Sequence, residues 1–276
     1  LCNEKSGRVS AGDGAALAAQ LEALGVRTGD IIDGLDMEAL FARARDADLI
    51  VVLGGDGTAR AAAAAAPAGA PPLVLLPGGT LNLLPKALYG DLSWPEALEA
   101  ALRRGEIKTM SGAAANGEPF FIAAMFGAPT LLARAREAAR AGDIAHAYAR
   151  LRHFAGRAFS RKIAARAAGA RTRRSEAVGV LCAAFSGQME SDDLEWVHMN
   201  ARSFLDLARI NVRALGAGWR EDSGIETSRC AGGELKRRGV IPATLDGEPR
   251  SFLSHVRIER LPQGPRVLAL PHDGSR

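Results

Sequence analysis

The stretch that most constrains this chain is Leu49-Ile50-Val51-Val52-Leu53, which halts at Gly54-Gly55-Asp56-Gly57-Thr58 and runs on into an alanine-rich segment, residues 59–66. A short β-branched and aliphatic run that stops at glycines predicts a buried strand, a tight loop and then a helix. Glycine has no Cβ, so a phosphate can come close to such a loop and meet the N–H groups of the helix start. Asp56 puts a carboxylate where a Mg²⁺ bridging those phosphates would sit. The loop lacks the lysine of a Walker A sequence. The pattern then recurs. Residues 73–76 are a second apolar strand, and Pro77-Gly78-Gly79-Thr80-Leu81-Asn82 is a second glycine turn ahead of a helix. Two such turns at the ends of neighbouring parallel strands predict one crevice.

The flanking sequence alternates strand and helix signals. Residues 1–3 read as the end of a first strand that lacks a few residues upstream, with Lys5-Ser6-Gly7 as its loop. Asp13 is expected to cap a helix burying Leu17, Leu21 and Leu24 before Gly25, and Asp36 a second one running to Ala47. Ser93-Trp94-Pro95-Glu96 has capping-box spacing and opens a helix to about Gly105. Strands alternating with helices of this length predict a parallel α/β sheet.

After Ile107 the texture changes. Residues 120–125 look like one strand, and residues 131–168 like a long helical region. Strands are expected around 177–185, 194–200, 210–215 and 239–245. Strands without intervening helices predict an antiparallel second domain. The boundaries read from this are 1–107 for the α/β domain and 108–263 for the β-rich domain. The last strand, within 264–276, is expected to return to the first domain.

Composition narrows the class. With 276 residues, 47% hydrophobic and 24% charged, the chain is globular and long enough for two cores. Its net charge of +4 is mild, so the distribution of charge carries more information than the total. Cys2, Cys182 and Cys230 are odd in number without paired spacing, which argues against a disulfide framework or zinc site and for a reducing compartment. The longest apolar run, residues 61–76, is broken by Pro67, Pro71 and Pro72, short of a membrane span. No signal peptide is read ahead of the first strand. Any membrane contact is therefore expected from the surface. The five histidines (His146, His153, His198, His255 and His272) have no metal or triad spacing and read as structural or exposed.

Gly-Gly-Asp-Gly-Thr at 54–58, followed by Pro77-x-Gly-Thr-x-Asn82, resembles the catalytic domain of diacylglycerol kinases, sphingosine kinases and their bacterial lipid-kinase relatives. Asn3-Glu4-Lys5-Ser6-Gly7 is similar to that family's opening Asn-Pro-x-Ser-Gly, with Glu in place of Pro. Asp246-Gly247-Glu248 is similar to its late Asp-Gly-Glu. The ordered set spans residues 3 to about 250. The resemblance implies a Rossmann-like parallel-sheet nucleotide domain of the NAD kinase/diacylglycerol kinase type, followed by an antiparallel β-sandwich. It also implies a cytoplasmic, peripherally membrane-associated lipid kinase using ATP and Mg²⁺.

The site residues follow. Asn3, Lys5, Ser6, Gly7, Gly54, Gly55, Asp56, Gly57, Thr58, Gly79, Thr80 and Asn82 are expected around the nucleotide. Thr58 and Thr80 can bond a phosphate and also cap their helices. Asn82 can orient its loop or touch the nucleotide. Asp246 and Glu248 are alternate residues that share a side if extended, and the resemblance makes this segment the source of the base that takes the acceptor's proton. The same Asp-Gly also fits a type I′ hairpin turn. Asp192 and Asp193 are similar to an acidic turn that holds a structural Mg²⁺ in bacterial relatives, and also read as a solvated turn.

The basic segment 150–174 carries nine Lys or Arg with no acidic residue among them, interleaved with Leu151, Phe154, Phe159 and Ile163 at partly helical spacing. It reads as a contact for an anionic membrane surface bearing the lipid substrate, in preference to nucleic acid. The assembly is left open, with a homodimer among the options. Departures from the family pattern include Ala59-Arg60 where many relatives have Asn two residues after the first motif, and Leu83 after Asn82. Arg60 can bind a phosphate but is not equivalent to Asn in geometry. The alternatives are an NAD kinase-like small-molecule kinase and a catalytically inactive lipid-binding relative.

Overall fold

The computed structural model describes residues 1–29, 31–127, 130, 162–169, 171–182, 193–200, 224–261 and 263–271. The chain divides into two compact units, Leu1–Ser111 with Pro262–Arg276, and Gly112–Leu261.

The first unit opens with a bridge. Cys2 pairs in parallel with both Asp33 and Leu53, so residues 1–3 lie between those two segments. Helix α1 (Asp13–Ala23) buries Leu17 and Leu21, while Leu24 falls at the C-cap and is only half-buried. Its N-cap is Gly12; Asp13 is the first helical residue and accepts the Ser10 N–H at 2.7 Å. Helix α2 (Met37–Arg43) is capped as expected by Asp36 on the Ala39 N–H, and it ends four residues earlier than Ala47. Strand β1 (Ile50–Gly54) leads into α3 (Asp56–Ala65), and β2 (Leu73–Pro77) into α4 (Leu83–Tyr89). The capping box opens α5 (Trp94–Arg104), where Glu96 accepts the Ser93 N–H at 2.9 Å, and β3 (Glu106–Thr109) follows.

Strands β1 and β2 are parallel from Ile50↔Leu73 to Gly54↔Pro77, so both glycine turns leave from the same end of the sheet. Leu73 to Leu76 are all fully buried. A continuous apolar run fits a strand covered on both faces. Each such leucine contributes about 1.5–3 kcal/mol of burial. Tyr89 fastens α4 to this strand: its buried hydroxyl accepts the Leu75 N–H at 3.2 Å, and burial raises its pKa far above the ordinary tyrosine value.

The second unit is antiparallel. Its strands are β4 (Ala113–Ala115), β5 (Glu118–Phe120), β6 (Ala123–Gly127), β7 (Ile163–Ala167), β8 (Arg173–Ser175), β9 (Ala177–Leu181), β10 (Leu194–Met199), β11 (Ile225–Cys230), β12 (Gly232–Leu245) and β13 (Glu248–Arg260). Among the described residues they run β11-β10-β9-β6-β12-β13-β4-β5; β7 pairs the first half of β12 on the edge opposite β13, and β8 pairs β7. The sheet doubles over itself. Trp196 of β10 reaches Gly233 of β12 although two strands separate them, and a Cβ at Gly233 would sit 2.9 Å from the indole. Trp196, Phe120, Phe126, Leu235 and Ile241 fill the space enclosed.

The sequence expectations need three corrections here. The run 120–125 is two strands, because Phe121 and Ile122 break out of the ladder between β5 and β6. The end of the expected helical region is strand β7, where Ile163, Ala165 and Ala167 are buried and alternate with Ala164 and Arg166, a period of two. Residues 131–161 of that region, and the strand expected at 210–215, lie outside the described residues. The acid-free run 162–174 also finds acids from elsewhere in the fold: Lys162 pairs Glu176, Arg166 pairs Glu234 and Arg173 pairs Glu226.

Finally β14 (Arg266–Ala269) joins the first unit, parallel to β2 and antiparallel to β3, giving the order β1-β2-β14-β3. The architecture is thus an α/β unit on a mainly parallel sheet, with an antiparallel unit inserted before its last strand.

Candidate active site

Three loops meet at the exit end of β1 and β2. The two glycine turns touch backbone to backbone: Gly78 N–H donates to the Gly54 carbonyl at 2.7 Å. A Cβ on Gly79 would lie 2.8 Å from Gly55 Cα, and one on Gly78 would lie 3.0 Å from Gly54 Cα and 2.5 Å from Val9. These glycines are required because one turn lies against the other, before any ligand is considered. Gly54 is held equally tightly, since a Cβ there would meet Thr58 at 2.6 Å.

The opening loop completes the constellation. Ser6 Oγ accepts the Gly55 N–H at 3.0 Å, Asn3 Nδ2 donates to Thr58 Oγ1 at 2.8 Å, and Arg8 N–H donates to the Gly78 carbonyl at 3.1 Å. Asn3 and Thr58 are buried. Lys5, Gly7 and Thr80 are exposed, while Ser6, Gly55, Asp56 and Gly57 are half-buried.

Asp56 does something the sequence did not announce. Its carboxylate accepts three consecutive backbone N–H groups, from Asn82 at 2.9 Å, Leu83 at 2.5 Å and Leu84 at 3.4 Å. These are the donors that the start of α4 leaves without intrahelical partners. The aspartate of the first turn thereby caps the helix of the second, where its charge also opposes the helix dipole. Asn82 stands at φ 53° in the left-handed region and spends its amide on Gly79, accepting its N–H at 2.7 Å and donating to its carbonyl at 3.0 Å. Asn82 is therefore a loop-orienting residue.

Neither Thr58 nor Thr80 stands at an N-cap position. The N-caps are Gly55 and Asn82, and neither end has a side-chain cap of its own. The start of α3 thus presents its first-turn backbone between the three loops. Arg8, which sequence reasoning passed over, is held at the second turn and exposed; the only signal was a charge following Ser6-Gly7. Arg60 lies on α3 with a buried Nε that finds no hydrogen-bond partner among the described residues.

In the second unit, Asp246-Gly247 forms the two-residue turn between β12 and β13, joined at Leu245↔Glu248. Both turn residues have positive φ, 48° and 84°, the signature of type I′. Asp246 is therefore not extended, and the expectation that it shares a side with Glu248 by strand alternation does not apply. Its buried carboxylate accepts N–H bonds from Phe121 at 2.9 Å, Ile122 at 2.8 Å and Ala123 at 3.0 Å. Those three donors are the ones freed where the ladder breaks between β5 and β6. The neighbouring carbonyls are also satisfied: Ile122 accepts the Cys182 N–H at 2.8 Å and Ala123 the Asp246 N–H at 2.8 Å. Burial, with the Asp246 charge adding to it, pushes the Cys182 thiol well above its ordinary pKa, so this cysteine is not a nucleophile.

Glu248 is half-buried, and among the described residues its carboxylate takes no hydrogen bond or ion pair. Asp193 is exposed just ahead of β10, and Asp192 lies outside the described residues. No group of three or more His, Cys, Asp or Glu among the described residues could hold a metal.

Comparison with known proteins fits this geometry. No curated protein matches the sequence. A Bacillus anthracis protein solved as a candidate diacylglycerol kinase superposes with a TM-score of 0.73 at 18% identity, covering 98% of this chain and 96% of that one. A second B. anthracis diacylglycerol kinase structure gives 0.69 at 16% identity, covering 98% and 95%. An NAD kinase from Archaeoglobus fulgidus, solved in complex with ATP, gives 0.55 at 13% identity, covering 96% and 91%. These likenesses establish the fold. Residues 1–114, which contain all three loops of the first unit, match the family model of the diacylglycerol kinase catalytic domain.

Proposed function

We propose that the protein is an ATP-dependent lipid kinase that transfers the γ-phosphate to a hydroxyl of a diacylglycerol- or sphingosine-like lipid at the membrane surface. One observation carries this reading: three loops converge where two parallel strands end, inside the segment that matches the diacylglycerol kinase catalytic domain. The ATP complex of the A. fulgidus NAD kinase supports ATP as the donor. The start of α3 offers backbone N–H groups to phosphate oxygens, and the exposed Lys5 and Arg8 supply charge. Mg²⁺ keeps most of its waters and needs only one or two carboxylates beside substrate phosphates; Asp56, whose two oxygens already accept backbone N–H groups, would meet the ion through its remaining lone pairs or through one of those waters. When bound, the ion would neutralise charge on the phosphates. The structural Mg²⁺ site at Asp192 and Asp193 has no supporting observation among the described residues.

Phosphoryl transfer depends mostly on positioning and charge, with a base to receive the acceptor's proton. We assign that proton to Glu248. Asp246 already receives three backbone donors and acts as a positioning residue, holding the turn that carries Glu248.

The test is phosphate transfer from labelled ATP to diacylglycerol, sphingoid base, ceramide and phosphatidylglycerol, with NAD as a separate acceptor. Label in a lipid is expected. Glu248→Gln should lower kcat by about 10²–10⁴ at an unchanged melting temperature. Label in NAD and in none of the lipids would replace this reading with an NAD kinase. ATP binding by calorimetry without any labelled product would leave an inactive relative.

A further inference from the structure

The outer face of the second unit carries a cationic cavity that the proposed chemistry does not use. It has a volume of about 760 Å³ and is walled by Lys162, Arg174, Lys236, Arg237 and Arg238, with Ser254 and His255. The register explains why these residues meet. Arg174 pairs Ala164, Ala164 pairs Lys236, and Lys236 pairs His255, so one row crosses β8, β7, β12 and β13. Residues directly opposite across strands share a face. Their sequence neighbours Leu235 and Val256 are fully buried on the other face. Ala164, small and in the middle of the row, leaves the hollow.

A bulge sharpens it. The β12–β13 ladder shifts between Lys236 and Val240, so Arg237, Arg238 and Gly239 stand against Ser254 alone. Gly239 (φ 87°) and Ser254 (φ 46°) both turn into the left-handed region to make this possible. Bulges re-aim side chains, and here two consecutive arginines are brought to the cavity wall. Two carboxylates among the described residues pair with cations of this face or next to it. Glu176 pairs Lys162 at 3.3 Å, and Glu234 is shared by Lys236 at 3.0 Å, Arg166 at 3.7 Å and His255 at 3.7 Å.

Immediately past the bulge, Val240 and Leu253 face each other across the hairpin. They are 51% and 79% exposed, among the largest apolar exposures in the described residues. Cations beside a pair of exposed aliphatics match an anionic lipid surface, where headgroup phosphates meet the charges and acyl chains receive the side chains. A free phosphate gives the aliphatic pair no role. Single-stranded nucleic acid would call for aromatic stacking platforms, and among the described residues no aromatic ring lines the cavity apart from His255.

We propose that the bulge of β12, its cationic cavity and the Val240–Leu253 pair form a docking face for an anionic phospholipid membrane. The docking face deepens the lipid-kinase reading by naming the surface on which that enzyme would meet its substrate, and it is tested apart from catalysis.

The experiment is co-sedimentation of the full chain, without ATP, with vesicles of phosphatidylcholine alone and of phosphatidylcholine with phosphatidylglycerol. Binding is expected only to the phosphatidylglycerol vesicles and should weaken as salt rises. The double variant Arg237→Gln/Arg238→Gln should lose about fivefold in affinity for each charge removed. Arg237→Lys/Arg238→Lys should retain binding. Leu253→Ser, on an exposed site, should weaken binding without changing the melting temperature. Arg103→Gln, on α5, should change nothing.

Equal binding to both vesicle types would overturn the docking face. So would unchanged binding by both the glutamine and Leu253→Ser variants, or tighter binding to inorganic phosphate or a single-stranded oligonucleotide than to vesicles. Lipid phosphorylation measured in neutral detergent micelles keeps the two readings separable. Docking without phosphorylation sinks the kinase alone, and phosphorylation with variant-insensitive docking sinks this surface alone.

Discussion

The two units of this protein each contain an Asp-Gly step whose aspartate clamps three consecutive backbone N–H groups of a distant segment. Asp56 takes the donors of Asn82, Leu83 and Leu84, 26 to 28 residues away. Asp246 takes those of Phe121, Ile122 and Ala123, from 125 to 123 residues away. The surroundings differ. Asp56 is half-buried at a helix start and caps a second helix, where the dipole already favours a negative charge. Asp246 is buried, has positive φ, and satisfies a break between strands where water cannot substitute. Both aspartates look like catalytic chemistry in the sequence, and both are engaged in geometry. What each clamp holds is a turn of the proposed site: the second glycine turn in one case, the turn bearing Glu248 in the other.

That pairing can be broken most forcefully at Asp246. Asp246→Ala leaves buried donors without an acceptor, at about 1–3 kcal/mol each, so the second unit should lose about 3 kcal/mol or more. Urea unfolding measures it, and a loss below about 1 kcal/mol would show the clamp to be dispensable. Next is Gly79→Ala, whose Cβ would press on Gly55 Cα at 2.8 Å and on Asn82 Oδ1 at 3.0 Å. Forcing the turns apart should cost about 1–3 kcal/mol, and ATP affinity by calorimetry should fall with it. Unchanged affinity would mean that the close approach serves folding alone.

Asp56→Ala should cost about 0.5–2 kcal/mol, the range for a lost helix cap, because its donors are nearer to water than those of Asp246. A cost equal to that of Asp246→Ala would erase the contrast between the clamps. The smallest effect is on pH dependence. His198 is buried against Ser175, 3.3 Å from its hydroxyl, and burial, helped by Arg173, lowers its pKa below the ordinary 6.5. Above about pH 6.5 both states hold a neutral imidazole. As pH falls, the unfolded chain takes its proton first, so stability declines from there through the lowered folded value. The melting temperature should drop between pH 7 and 5, and the drop should shrink in His198→Gln.

The first unit was largely legible before its coordinates. The strands at 50–54 and 73–77, the helices that follow them and the Ser93 capping box are set by neighbours a few residues apart, which is the scale on which periodicity and turn chemistry act. The second unit was less so. Residues 163–167 carry too few polar residues for their alternation to stand out from an alanine- and arginine-rich run, and the strand read across 120–125 gave no sign that a carboxylate from residue 246 would draw out its middle.

By itself, the sequence determined the alternation of strands and helices, the two glycine turns and the family they resemble, because each is written in contiguous residues. Only the tertiary structure decided that the glycines are small for one another's sake, that Asp56 and Asp246 hold backbone, and that a row of cations crosses four strands beside two bare aliphatics. Those facts depend on which distant segments share a hydrogen bond or a sheet face, and a carboxylate has no preference among N–H groups until the fold brings some of them within 3 Å.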